Sequence, residues 1–130
     1  MTLVDSDILI WVMRGDLRAK VFLESLPTIA MSVVNHIELI QGMRNRRELK
    51  ALRDFTRLWN AQYYPITEAI SDRALKLVER HFLSHHLELA DALIAATALE
   101  HKLELATGNG KHFKIIAGLK LKPFLLSSDA

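Results

Sequence analysis

Cysteine is absent from this chain of 130 residues, which removes disulfides, thiolate metal sites and thiol redox chemistry and makes a reducing cytoplasm the simplest compartment. Glycine and proline are scarce, at five and three residues, so the chain should be rich in helices rather than in irregular loops. No apolar run can cross a bilayer: the longest, Ala92 to Leu99, falls far short of the roughly 20 residues that a spanning helix needs. A secretion signal is equally unexpected, because Asp5 and Asp7 interrupt what would have to be its apolar core. No internal repeat or low-complexity segment stands out. Half of the residues are hydrophobic and a quarter charged. That composition fits one compact domain over residues 1–130, long enough to bury about two-thirds of the surface of its unfolded chain. A net charge of +2 is a weak bias toward an anionic partner.

Short apolar runs alternate with helical patterns along the chain. Thr2 to Val4 reads as a strand feeding directly into a helix that Ser6 or Asp7 caps and Gly15 closes. Asp16 caps a second helix that Pro27 stops. Thr28 to Met31 is a second strand, and Ser32 caps a helix through about Met43 with Val33, Val34, Ile37 and Ile40 as its apolar stripe. Residues 45–60 form an amphipathic helix. Gln62 to Ile66 is a third strand, with Pro65 near its end. Thr67 caps a helix through about His81. A helix around Leu89 to Leu99 is followed by a strand at Leu103 to Thr107, a turn at Gly108–Asn109–Gly110, and a last strand near Lys120 to Leu125. This alternation implies an α/β fold with a parallel sheet covered on both faces. Right-handed crossovers then bring strand ends and the starts of the following helices to one rim, where open sheets bind ligands at the point of strand-order reversal.

Asp91 is the anomaly of the sequence. Between Leu89 and Leu99 every residue is apolar or small except Asp91 and Thr97, no lysine or arginine stands within a helical turn, and helical spacing sets Asp91 beside Ile94, Ala95 and Ala98. Such a carboxylate is protonated, paired or bound to a cation, unless it is simply a first-turn acid favoured by the helix dipole. Asp5 follows the first strand, Glu38 sits one turn into the helix after the second, and Asn109 follows the fourth. All share the rim, and Asp91 joins them if its helix starts there. Carboxylates converging there would repel one another by roughly 4 kcal/mol per pair at about 4 Å and an effective dielectric constant near 20, so a cation must compensate. Oxygen-only ligation suits Mg²⁺ or Mn²⁺, and such a metal could serve a nuclease or a phosphatase.

The segments LVDSDILIW, SVVNHIELIQG and LADALIAATALEHKLELATGNGKHF, in this order, resemble the signature blocks of PIN-domain ribonucleases, in particular the VapC toxins of toxin–antitoxin pairs. The resemblance spans essentially the whole chain. It implies a three-layer α/β/α sandwich with a central five-stranded parallel sheet, Mg²⁺-dependent cleavage of RNA, homodimerisation and inhibition by a cognate VapB-like antitoxin. Asp5, Glu38 and Asp91 match the family's metal-binding acids. The fourth catalytic position, often Asp in the family, is Asn109 here, which puts a second metal in doubt and keeps open a reading as an inactive RNA- or protein-binding module. Asp7 is a candidate substitute ligand, with helix capping as its first expectation. Ser6 and Thr107 match small hydroxyl positions near the family's site, where they hold acids or water, or else cap strand ends.

Two other features invite function. Arg46, Lys50, Arg53 and Arg57 recur at helical steps and make one basic stripe, either a solvated face or a contact for RNA phosphates. His81, His85, His86 and Glu88 would suit zinc only if their helix continued through them. His112 is expected to pack or hydrogen-bond behind the site. The Gly108–Gly110 turn has no phosphate-cradle pattern.

Overall fold

The computed structural model describes residues 1–124. Five short strands, β1 (Thr2–Val4), β2 (Ile29–Ser32), β3 (Gln62–Tyr64), β4 (Glu104–Thr107) and β5 (Leu121–Pro123), form one sheet in the order β3-β2-β1-β4-β5. Every pairing is parallel. Helices α1 (Ser6–Met13) and α2 (Leu17–Ser25) connect β1 to β2, and α3 (Val33–Gln41) and α4 (Arg46–Trp59) connect β2 to β3. Helices α5 (Glu68–His85) and α6 (Leu89–Glu100) connect β3 to β4, and a 3-10 turn at Gly110–His112 precedes β5.

Alternation along the strands sorts the core into two layers. Leu3, Ala30 and Leu105 point to one face, where they meet Ile70 and Ala74 of α5, Ile94, Ala95 and Ala98 of α6, and Phe113. Val4, Met31 and Ala106 point to the other, against Ile8 and Leu9 of α1, Ala19 and Leu23 of α2, Leu39 of α3 and Leu52 of α4. The result is the expected α/β/α sandwich, its central strands buried on both sides as parallel sheets require. No described helix is long and apolar enough to cross a membrane.

Several boundaries differ from expectation, each for a local reason. Strand β3 ends at Tyr64 because Pro65 cannot donate to the ladder. Helix α3 stops at Gln41 with Gly42 as its C-cap, and α5 runs one turn further than expected, to His85. Strand β5 is short, and Leu125, placed in it by the sequence reading, lies outside the described residues. The expected stripe of α3 is only partly inward: Val34 and Leu39 are buried, whereas Ile37 and Ile40 are exposed. Helix α3 packs on α1, α4, α6 and β2, and the row of Ile37 and Ile40 is left facing outward.

Candidate active site

Strands β1 and β4 are neighbours at the centre of the sheet, with Val4 opposite Ala106. The chain leaves them side by side. From β1 the crossovers run outward through β2 to β3, and then return to place β4 and β5 on the other flank. The switch point therefore falls between the ends of β1 and β4, where Asp5–Ser6–Asp7 meets Thr107–Gly108–Asn109.

Asp5 is buried and serves as the N-cap of α1, its Oδ1 accepting from Ser6 N–H at 2.8 Å. The expectation that Ser6 or Asp7 caps this helix is thus corrected. The helix begins at Ser6 with no linker after β1, so the residue that leaves the strand is the one that caps. Thr107 Oγ1 donates to Asp5 Oδ2 at 2.8 Å. Burial, with the nearby Asp7 adding to it, nevertheless pushes the Asp5 carboxyl up to about 7, against the hydrogen bonds from Thr107 and Ser6; Asp91 adds a smaller push.

Ser6 and Glu38 are joined directly: Ser6 Oγ donates to Glu38 Oε1 at 2.7 Å. Ser6 Oγ in turn accepts from Asn35 Nδ2 at 3.1 Å. Asn35 is wholly buried, and its Oδ1 accepts from Ser32 N–H at 3.0 Å, completing a capping box at the start of α3. The sequence reading passed over Asn35. Its signal is the spacing of three from the capping Ser32, with an amide where the usual capping box has Glu or Gln.

Asp7 sits in the first turn of α1, not at its cap. Its Oδ1 accepts from Ile8 N–H at 2.8 Å, and its Oδ2 accepts from Gly108 N–H at 2.9 Å and from Asn109 Nδ2 at 3.2 Å. Burial raises its pKa despite those backbone bonds. Asn109 is exposed, and its own N–H donates to Thr107 Oγ1 at 2.9 Å. Asp91 lies in the first turn of α6, half-buried, with its pKa raised by burial and held back by His112. His112 Nδ1 is 3.3 Å from Asp91 Oδ2. That histidine hydrogen-bonds to the site acid, as one of its two expectations had it, but from an exposed position at the mouth rather than packed behind the site, because the 3-10 turn carries it outward.

The structure thus brings Asp5, Ser6, Asp7, Glu38, Thr107, Asn109 and Asp91 to one rim and adds Asn35. Among the described residues no three acidic or histidine side chains already close around a single point, so the acids line an open mouth. Their chemistry fits a hard divalent cation: oxygen donors only, carboxylates destabilised by burial and mutual repulsion, and a histidine rather than a lysine or arginine as the ion-pair partner found for the set. The basic stripe is elsewhere. Arg46, Lys50, Arg53 and Arg57 are exposed on α4, which is anchored by Leu52. Arg53 also borders a cavity of about 270 Å³ with His36, Ile40 and Thr56. The zinc alternative does not assemble, because α5 ends at His85 and His86 turns into the left-handed region at φ 52°, carrying Glu88 off the helix.

The PIN domain family profile matches residues 2–119. Over 126 residues the chain is 43% identical to Ribonuclease VapC10 of Mycobacterium tuberculosis, covering 92% of this chain and 91% of that protein. It is 34% identical over 127 residues to Ribonuclease VapC19 of the same organism, covering 92% and 98%. Among solved structures, one chain of a toxin–antitoxin complex from Klebsiella pneumoniae superposes with a TM-score of 0.79 at 32% identity, covering 96% of this chain and 99% of that one.

Proposed function

Because the chain belongs to the PIN domain family, we propose that it is a metal-dependent endoribonuclease, the toxin of a VapBC-type pair, which hydrolyses RNA phosphodiester bonds at the acidic rim. The observation that carries this reading is the acid set at the switch point, with Asp5 raised to about 7 by burial and neighbouring carboxylates. Such a set is stable in its charged form only with a cation in place.

Asp5, Glu38 and Asp91 would hold Mg²⁺, with Mn²⁺ an equivalent for an all-oxygen set. When bound, a divalent ion supplies positive charge to the phosphodiester oxygens and acidity to water. The chain's own residues do the positioning. Thr107 fixes one oxygen of Asp5, and the Ser6 hydroxyl fixes one oxygen of Glu38. Glu38 keeps its second oxygen for the ion or for orienting the attacking water. Asn109 contributes at the rim through its contacts to Thr107 and Asp7.

The partner of this reading is a cognate VapB-like antitoxin, for which the acid rim offers a target to a basic side chain. The protein acts as a homodimer, in the cytoplasm where its RNA substrates are. Incubation of the purified protein with RNA, with Mg²⁺ or with EDTA, tests the reading: cleavage with Mg²⁺ alone supports it. RNA binding without cleavage would favour the inactive binding module instead, and hydrolysis of a small phosphomonoester would favour a phosphatase.

A further inference from the structure

We propose that Asp7 is the fourth acid of this site, supplying the negative charge that the resembled toxins often carry at position 109, and that Asn109 serves as the amide that holds it. The inference rests on the ribonuclease reading and names one more residue of the same site.

Three features of the structure separate Asp7 from an ordinary first-turn acid. Helix α1 already has its cap in Asp5, so Asp7 is not needed for that purpose. Its Oδ2 is held instead by two donors about a hundred residues away in sequence, Gly108 N–H and Asn109 Nδ2, at 2.9 and 3.2 Å. A solvated helix acid needs no such partners. Finally, position 108 is fitted to the carboxylate: a Cβ added to Gly108 would stand 2.7 Å from Asp7 Oδ2 and 3.4 Å from the carbonyl oxygen of Phe124, so a side chain there would push the carboxylate off the loop.

The geometry follows from the sheet. Parallel pairing of Val4 with Ala106 sets the exits of β1 and β4 side by side, so consecutive residues of one exit grip alternate residues of the other. Thr107 takes Asp5, while Gly108 and Asn109 take Asp7. Every donor to Asp7 is neutral, so the bonds orient its charge without cancelling it. An Asp at position 109 would set a second carboxylate against this one. The amide of Asn109 is the side chain that lets Asp7 stand there, so the pair carries one negative charge across two positions.

The test exchanges the two side chains and reads Mn²⁺ binding without RNA, by electron paramagnetic resonance or calorimetry, beside the thermal midpoint in EDTA. Asp7→Asn removes the charge and keeps one oxygen as acceptor for Gly108 N–H, giving up the bond from Ile8 N–H that Oδ1 accepts. It should leave the midpoint unchanged or higher and weaken Mn²⁺ binding by roughly ten- to a hundredfold, the range for groups that support a metal's ligands. Asn109→Asp should lower the midpoint in EDTA by setting two carboxylates together. The double exchange, Asp7→Asn with Asn109→Asp, should recover the wild-type Mn²⁺ affinity and midpoint. A failure of the double exchange to recover affinity overturns the proposal. So does a collapse of the midpoint in Asp7→Asn, which would make Asp7 a structural staple. Asp5→Asn distinguishes the two levels. If it loses Mn²⁺ while Asp7→Asn binds as wild type, the fourth acid is refuted and the ribonuclease site stands; if both bind as wild type, the metal site itself is refuted.

Discussion

Asp5 shows how one residue can be both a structural cap and a site of stored electrostatic strain. Its folded pKa of about 7 lies above the ordinary value of 3.8, so between those values the folded chain keeps a proton that the unfolded chain has released. Its contribution to stability without a divalent ion therefore falls as pH rises from 3.8 to about 7 and is level above that. Thermal midpoints in EDTA should decline across this range, and Asp5→Asn should reduce the slope and raise the midpoint at pH 8. A slope parallel to wild type would assign the dependence to other groups. Thr107→Val removes the hydroxyl donated to Asp5, so the rising limb of the pH–rate profile should move to higher pH, while Thr107→Ser should leave it in place. An unmoved limb in Thr107→Val would show that this hydrogen bond does not hold the carboxylate. Asp5, Glu38, Asp91 and Asn109 are legible in the sequence because polar residues at strand exits and in an apolar helix contradict their surroundings. Asp7 is legible only as a helix cap or a substitute ligand, and Asn35 only through its spacing from Ser32, since the bonds that define them reach 29 to 102 residues along the chain.

Among the elements, α4 offers the clearest amphipathic division. Its single buried residue is Leu52, while Arg46, Lys50, Arg53 and Arg57 line the exposed side. If the stripe contacts RNA phosphates, Arg53→Ala/Arg57→Ala in a catalytically dead background should weaken binding for all sequences. It should also lower the salt slope by about 1.4, at roughly 0.7 per single-strand phosphate contact. Affinity measured across a salt series decides this, and an unchanged slope and affinity would return the stripe to a solvated face. The order of strands and helices can be read from periodicity because the strands are short and β1, β2 and β3 each run into a capped helix. Periodicity is less informative for α3. Its row of Ile37 and Ile40 looks inward by pattern yet is exposed, because helical spacing reports an apolar face without saying whether the chain's own core or another molecule covers it.

At the scale of the whole molecule, the sheet order brings residues from opposite ends of the chain, Asp5 and Thr107, within a hydrogen bond of each other. The two apolar layers hold that switch point rigid from both sides, which a site built on strand ends requires. Coexpression with the antitoxin should suppress RNA cleavage by covering the acid rim, and addition of excess Mg²⁺ should leave that suppression intact. A complex that forms while cleavage continues would place the antitoxin away from the rim. The most direct measurement is cleavage of RNA by antitoxin-free protein in Mg²⁺, comparing wild type with Asp91→Asn. Asp91 stands in the first turn of α6, whose N-cap is Glu88, so capping does not account for its position. The variant should keep its fold, with an unchanged or higher thermal midpoint in EDTA, and lose cleavage. Cleavage at the wild-type rate in the folded variant would contradict the assignment of this rim as the nuclease site.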